Sequence, residues 1–249
     1  MKKCEKPHYD VLRVLEKSRT RSWYDRAPAV EVRRSAPLVV AEVEVPRKAG
    51  EGGDDAMRDA LSRGFRQIAS YIFGRNAAAA AAEAGVEADP RFLDGSTMGG
   101  GSGKKIAMTS PVVTEMPPAA ASAANAAPPS SSSVSATETA KGYVVAFVMP
   151  ASAYKSAAEL PRPTNPNVKL RDVPAKTSAV LGWRGGPRAD EAMVAARRAE
   201  LDEILGRNGI RAMEGAGTTL NQYYPPFAPA WQRLCEISVD VEEPATATE

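Results

Sequence analysis

The chain has 249 residues, of which 43% are apolar and 25% are charged, and its 32 basic and 30 acidic residues leave a formal charge of only +2. These proportions are ordinary for a globular protein and give no reason to expect a disordered, fibrous or membrane protein. No basic stripe with interleaved aromatic residues indicates a nucleic-acid partner, and no apolar run approaches the roughly 18 residues of a membrane span. The first twenty residues lack the apolar stretch of a secretory signal, so we expect an intracellular protein of undetermined compartment.

Two segments have compositions that do not supply a core. The first runs from about residue 77 to 103 and is rich in Ala, Gly and Ser. The second, residues 117–141, consists largely of Pro, Ala and Ser and has almost nothing to bury, as is typical of a disordered surface loop. We therefore expect a single domain over residues 1–249 that is interrupted by these two insertions.

The rest of the sequence shows an approximate internal repeat, in which each half reads strand, strand, helix, strand, strand. The strands are predicted from alternating apolar and polar residues. This alternation is clearest over residues 30–33, 39–45, 168–171 and 235–241. It is typical of strands that have one face in a core and one face in water.

Two prolines lie at equivalent places between the first two strands of each half. They are Pro37 and Pro174. Because proline lacks an N–H and has a fixed φ, it suits a turn better than a central strand. We expect a hairpin at each position.

Each half also contains one predicted helix. The first, over residues 55–73, has an apolar stripe at three- and four-residue spacing, with Asp54 as a candidate N-cap and Gly74 as a candidate C-cap. The second, over residues 191–205, has Asp190 as a candidate N-cap, and basic residues interrupt its apolar face. We expect the second helix to be the more exposed of the two.

Two units of this kind bury their apolar faces best when they pack together into one body. We therefore predict an α+β fold made of two pseudo-symmetric halves. Their strands form a twisted, antiparallel, barrel-like sheet, which is flanked by two long helices.

Several segments resemble the SOUL heme-binding protein family in its larger, plant-like branch, and they occur in the family's order. These segments are EKPHYDVL from Glu5, VEVRR from Val30, GFRQIASYIFGRN from Gly64, KKIAMTSPVV from Lys104 and YYPPFAPAWQRLCEI from Tyr223. The resemblance implies the two-half fold and reversible binding of heme or free porphyrin in a shallow apolar groove near the first helix. Members of that branch are found in the cytoplasm and in plastids, so the resemblance implies cytoplasm or chloroplast here.

The sequence departs from the family pattern at two places. Near the C-terminus, the family's Arg-Arg-Asn-Glu is replaced by Arg233, Leu234, Cys235 and Glu236. On the first helix, Ser62 stands where some members carry a basic residue that would pair with a heme propionate. We expect these changes to alter the affinity for the ligand.

The resemblance and the helical stripe together give a set of candidate ligand contacts. On the first helix, the same stripe is equally expected of plain core packing. Two further residues could close the slot from the two halves, although ordinary packing explains them as well. The candidates are Phe65, Ile68, Ala69, Ile72, Met108 and Phe227. Arg66, Lys104 and Lys105 are weaker candidates as partners of the propionates.

Candidate iron ligands and catalytic groups are scarce. The only histidine, His8, lies in the N-terminal segment and is expected to be a surface residue, so apolar contact rather than axial ligation should hold the ligand. Cys4 is expected to be exposed, and Cys235 is expected to point into the core. No phosphate-binding loop, nucleophile elbow or metal-binding histidine cluster is present, so an enzyme is not predicted.

Three functions remain open at this point. A tetrapyrrole carrier or buffer is the first. An interaction or scaffold protein that keeps the fold without the ligand is the second, and it is favoured by the insertions and by the departures from the family pattern. An enzyme that acts on a tetrapyrrole is the third.

Overall fold

In the described part of the chain, nine strands form one antiparallel sheet that curls into a half-barrel, and two helices pack on it. The structure is a computed structural model, and it describes residues 4–17, 29–46, 54–77, 103–116, 142–224 and 228–242. In chain order the elements are β1 (Tyr9–Lys17), β2 (Ala29–Ser35), β3 (Leu38–Val45), α1 (Asp54–Ile72), β4 (Asn76–Ala77), β5 (Val112–Glu115), β6 (Tyr143–Val148), β7 (Arg162–Pro163), β8 (Val168–Val173), β9 (Lys176–Arg184), α2 (Glu191–Arg207), β10 (Thr219–Gln222) and β11 (Leu234–Asp240). The predicted α+β class is confirmed.

The strands of the large sheet follow the order β1-β2-β9-β11-β10-β5-β6-β3-β8, while β4 and β7 form a separate two-stranded ribbon. The side of the large sheet that faces the helices holds the main core. Val30, Val32, Ala41, Leu181 and Ile237 are fully buried there. The predicted alternation therefore identifies the inward residues of the strands, and burial of this surface stabilises the fold.

Helix α1 packs closely on β3 and β6 because it carries a glycine at the contact. A Cβ atom on Gly64 would lie 2.6 Å from Cγ2 of Val145, 2.8 Å from Cβ of the same valine and 3.2 Å from Cγ2 of Val45. Only a residue without a side chain fits at that spacing. The helix axis is therefore held close to the sheet at Gly64.

The end of α1 agrees with the prediction from the sequence. Gly74 has a φ of 101°, its N–H donates to the carbonyl of Tyr71, and the N–H of Arg75 donates to the carbonyl of Ser70. This is the Schellman arrangement, in which a glycine with positive φ ends the helix. The side chain of the predicted N-cap, Asp54, lies outside the described residues.

Helix α2 begins at the predicted cap and is the more exposed helix. The Asp190 carboxylate accepts a hydrogen bond of 2.7 Å from the N–H of Met193, which satisfies one of the free donors of the first turn. The Tyr143 hydroxyl donates to the carboxylate of Glu191, the first residue of the helix, and so ties the start of α2 to the start of β6. Only four of its residues are buried: Val194, Leu201, Ile204 and Leu205.

The predicted hairpins at Pro37 and Pro174 are wrong. Strand β2 pairs with β1 and β9, whereas β3 pairs with β6 and β8, so the segment that contains Pro37 joins strands that are not neighbours. The same holds for Pro174, which lies between β8 and β9. A fixed φ suits any sharp reversal of the chain, whether or not the flanking strands pair.

The prediction of a wet outer face is also wrong for the central strands. Side chains that alternate with the core point to the concave side of the half-barrel, and there Ser178, Glu236 and Ser238 are at most 9% exposed. They are buried because the curled sheet brings distant strands around them. The polar residues do alternate with the core residues, but in the central strands they face the enclosed concave side and not water.

The two predicted insertions lie largely outside the described residues, but the chain ends that flank them are close together. The side-chain amide of Asn76 donates to the carbonyl of Lys104 at 2.8 Å, and the N–H of Lys104 donates back to Asn76 Oδ1 at 3.0 Å. At the second insertion, β5 and β6 pair directly, with Glu115 opposite Val144. Each segment thus leaves the fold and returns to it at one place.

Candidate functional site

A groove with a volume of about 310 Å³ lies between α1 and the segment that precedes α2. Four residues of α1 form one wall, residues of β5, β6 and β10 form the floor, and residues before α2 and after β10 complete it. The lining residues are Arg58, Leu61, Ser62, Phe65, Val112, Val145, Arg188, Ala189, Gln222 and Tyr224. Both halves of the chain therefore contribute to the groove.

The α1 wall is positioned by the close contact of the helix with the sheet. Phe65 follows Gly64 directly, and its ring meets the ring of Phe147 on β6 at a centroid distance of 5.3 Å and an interplanar angle of 61°. This edge-to-face contact is a favourable geometry for two aromatic rings. It holds Phe65 partly buried against the core while the residue still lines the groove.

The opposite wall is held by a turn and by one arginine. Gly185 and Gly186 both have positive φ values, of 82° and 86°, which form the turn after β9. The Arg233 guanidinium donates to the carbonyl of Gly186 at 3.1 Å and to that of Ala228 at 3.2 Å. The arginine that this chain retains at position 233 therefore fixes the segment that leads to Arg188.

Two arginines line the groove. Arg58 enters it from α1 and Arg188 enters it from the other wall, while no Asp or Glu is among the described residues that line it. Guanidinium groups form bidentate, charge-assisted hydrogen bonds with carboxylates. An apolar ligand with carboxylates at its edge would therefore find complementary groups on two sides.

A small polar cluster forms the end of the groove near β10. The Tyr224 hydroxyl accepts a hydrogen bond of 2.9 Å from the Gln222 side-chain amide, and it also hydrogen-bonds the Cys235 sulfur behind it. Burial raises the pKa of Tyr224 to about 12, and burial raises the pKa of Cys235 to about 12 as well. Both groups are therefore neutral at physiological pH, and the inward orientation predicted for Cys235 is confirmed.

The structure separates the candidate contacts that the sequence suggested. Phe65 lines the groove, whereas Ile68, Ala69 and Ile72 are at most 1% exposed and belong to the core beneath it. Met108 is 42% exposed and does not line the groove, and Phe227 lies outside the described residues. Of the weaker basic candidates Arg66, Lys104 and Lys105, none lines it either.

Eight of the ten described groove residues were not candidates from the sequence, and Arg58, Arg188 and Tyr224 are among them. Arg58 precedes Leu61 by three residues and Phe65 by seven, so the helical spacing of the stripe could have revealed it. Arg188 and Tyr224 come from the other half of the chain, and no local pattern connects them with α1. Ser62 lies in the groove, at the position where the family comparison expected a propionate partner.

A second cavity, of about 140 Å³, lies on the concave side of the sheet. Its charged groups neutralise one another: Arg33 donates to Glu236 at 3.0 Å and to Glu31 at 2.7 Å, and Tyr223 donates to Glu236 at 2.8 Å. His8 is exposed at its edge, on the other side of the sheet from α1. This cavity is less than half as large as the α1 groove, and two carboxylates, those of Glu115 and Glu236, are among its lining groups.

The described residues contain neither a candidate metal centre nor a helix that could span a membrane. No group of three or more His, Cys, Asp or Glu side chains is placed there to hold a metal ion. Neither helix in those ranges is long and apolar enough to cross a bilayer.

Comparison with known proteins gave one family match and several distant structural similarities. Residues 91–240 match the family described as SOUL heme-binding protein, whereas no curated protein matches the chain significantly. A hydrolase encoded by lin2189 from Listeria innocua is 11% identical, with a TM-score of 0.44 over 86% of this chain and 91% of that chain. The EcmrR C-terminal domain is 11% identical, with a TM-score of 0.43 over 86% of this chain and 97% of that domain. Similarities this low carry no argument about ligand or activity.

Proposed function

Because the matched region is more than half of its length, the chain belongs to the SOUL heme-binding protein family, and we propose that it is a carrier or buffer of heme or free porphyrin. The α1 groove is the proposed binding site. One observation carries the proposal: an apolar groove open to both halves of the chain has two arginines and, among its described lining residues, no carboxylate. A heme or protoporphyrin is a flat apolar disc with two carboxylates at one edge.

The residues of the groove fit such a ligand. Leu61, Phe65 and Val145 supply apolar surface for the face of the macrocycle, and Arg58 and Arg188 supply charge for its propionates. A volume of about 310 Å³ is at the lower end of the range for ligand sites. The groove would therefore cover part of the disc and leave the rest open, which suits reversible binding and transfer. The bound tetrapyrrole would bring its own redox and light-absorbing chemistry, and the chain would hold and orient it.

We also propose that the two halves are related by a pseudo-two-fold axis between β5 and β10. The order of the sheet supports this relation. When β2, β3, β5 and β6 are exchanged with β8, β9, β10 and β11, the order of these eight strands reads the same from the opposite end. The α1 groove would then lie where the halves meet, with Val112 on β5 and Gln222 on β10 in its floor.

Absorbance titration with hemin and with metal-free protoporphyrin tests the function. We expect saturable, near-stoichiometric shifts with both ligands. Phe65→Ala should weaken both by roughly ten- to a hundredfold, since burial of a large apolar side chain contributes about 1.5–3 kcal/mol. His8→Ala is the matched control and should leave both affinities unchanged, because His8 lies on the other side of the sheet. A folded parent protein that binds neither ligand would contradict the proposal.

The role of the arginines has its own test. A double variant with Arg58→Gln and Arg188→Gln should bind protoporphyrin about three- to tenfold more weakly, on the order of two modest charge-assisted contacts. The dimethyl ester of protoporphyrin has no carboxylates, so its affinity should not depend on these substitutions. Arg211→Gln, at an exposed arginine outside the groove, is the control. Equal losses for the free acid and the ester would show that the arginines do not read the carboxylates.

An interaction protein that keeps the fold without a tetrapyrrole is the second candidate. It is favoured by edge strand β1, where Val11, Leu12 and Val14 are 46%, 44% and 60% exposed. Exposed apolar edges are characteristic of surfaces that pair with another chain. A folded protein without saturable porphyrin binding, whose self-association is abolished by Val14→Lys, would support this function. Turnover of a tetrapyrrole that is lost in a groove variant would instead indicate an enzyme.

A further inference from the structure

The α1 groove contains a candidate ligand for iron that the sequence did not reveal. Heme iron in proteins is held by His, Cys, Met or Tyr. Among the described residues that line the groove, Tyr224 alone is of one of these types. His8 lies at the concave cavity, and Met108 is exposed away from the groove. Cys235 is buried behind Tyr224 and is not among the lining residues.

We propose that the phenol oxygen of Tyr224 coordinates the iron of ferric heme, an inference that rests on the proposed function. Tyr224 lies two residues after the end of β10, and the pairing of β10 with β5 and β11 fixes the backbone up to Gln222. Its oxygen accepts a hydrogen bond from the amide of Gln222, which also lines the groove, and it also hydrogen-bonds the buried sulfur of Cys235. The phenol ring packs against the core, which orients the side chain.

One neighbour of Tyr224 favours a coordinating oxygen, whereas burial and the Cys235 thiol raise the pKa of the phenol to about 12, so the iron itself has to displace the proton. The Gln222 amide donates to that oxygen, and a donor in this position stabilises the negative charge that a phenolate carries. On coordination, the Tyr224 O–H bond breaks and an O–Fe bond forms. The released proton leaves as water with the hydroxide that ferric heme carries in aqueous solution, and the oxidation state of the iron does not change.

Coordination by Tyr224 would make the site selective for ferric heme over ferrous heme and over metal-free porphyrin. Phenolate is a hard, anionic ligand and prefers ferric to ferrous iron. Metal-free protoporphyrin offers no partner for the oxygen and would be held by Phe65 and the arginines alone. The protein should therefore bind hemin more tightly than metal-free protoporphyrin and should release heme more readily after reduction.

Tyr224→Phe tests the inference, since it keeps the ring and removes the oxygen. We expect a loss of tenfold or more in affinity for hemin and less than a twofold change for metal-free protoporphyrin. Tyr9→Phe, on the concave side, is the matched control and should change neither. Equal hemin affinities for the parent protein and Tyr224→Phe would overturn the inference.

A spectroscopic measurement on the parent protein does not depend on the stability of the variant. Resonance Raman spectra of the hemin complex should contain iron–phenolate modes, and these modes should be lost in Tyr224→Phe. Their absence from the parent complex would overturn the inference and leave the proposed function standing if both porphyrins bind. A parent protein that binds neither porphyrin would overturn the function and the inference together.

Discussion

Replacement of Gly64 by alanine should destabilise the protein, although alanine is the better helix former. Alanine in place of glycine inside a helix gains about 1 kcal/mol. The added Cβ would lie 2.6 Å from Cγ2 and 2.8 Å from Cβ of Val145, and the latter atom is attached directly to the backbone of β6. Because the Cβ atom of Val145 cannot rotate away, the overpacking should cost about 2–3 kcal/mol.

The expected net loss is therefore about 1–2 kcal/mol, which for a protein of this size lowers Tm by roughly 2–8 °C. Thermal and urea unfolding followed by circular dichroism measure it. Gly206→Ala is the matched control, since Gly206 lies in α2 and a Cβ there would meet nothing within 4 Å. This control should be neutral or should gain up to about 1 kcal/mol.

A compensating substitution tests the cause of the loss. In the background of Gly64→Ala, Val145→Ala removes Cγ2, the nearest atom that the new Cβ would meet, and leaves Cβ of residue 145 in place, so the double variant should recover part of the loss and be more stable than the sum of the single changes predicts. If Gly64→Ala proves as stable as Gly206→Ala, the close approach of α1 to the sheet is not what requires glycine, and this reasoning fails.

Three further predictions concern the second insertion and the buried thiol. Deletion of residues 118–139 should leave the fold and porphyrin binding intact. It should raise the free energy of unfolding by about 1 kcal/mol or less, because β5 and β6 are paired neighbours and a shorter loop costs less entropy to close. Loss of the cooperative thermal transition would contradict this. At pH 8, Cys235 should react with iodoacetamide at least about a hundredfold more slowly than the exposed Cys4, because the thiolate is the reactive form. Burial should also keep Cys235 protonated in the folded protein between pH 9 and about 12, where the unfolded chain loses this proton. The unfolding free energy should therefore fall as the pH rises through that range, by up to about 1.4 kcal/mol per pH unit. Cys235→Val should remove this part of the decline.

Local features of the fold could be predicted from the sequence because they depend on neighbouring residues. The alternation around Val43 and Ile237 identified strands and their buried side, and Gly74 and Asp190 marked helix ends. The pairing of the strands was not accessible in this way. Alternation shows which residues share a side of a strand, but it does not show which strand lies next to it, so Pro37 was assigned to a hairpin.

The candidate site, like the fold, could be predicted only where it depends on a local pattern. Phe65 lies on a helical stripe, and the family resemblance marked the stripe as a place for a ligand. The core residues Ile68 and Ile72 share the stripe but point beneath the groove, because a helix that rests on a sheet turns only its edge to a neighbouring cleft. Arg188 and Tyr224 reach the groove only because β5 pairs with β10, a contact between residues about a hundred positions apart in sequence.

The two short links at residues 36–37 and 174–175 fix the curvature of the sheet. Each joins strands that are six places apart in the sheet order, from β2 to β3 and from β8 to β9. In a flat sheet these strands would be separated by about 29 Å, at roughly 4.8 Å per strand. A link of two residues spans no more than about 11 Å between the flanking Cα atoms. The chain itself therefore prevents the half-barrel from flattening, so its concave cavity has a set width.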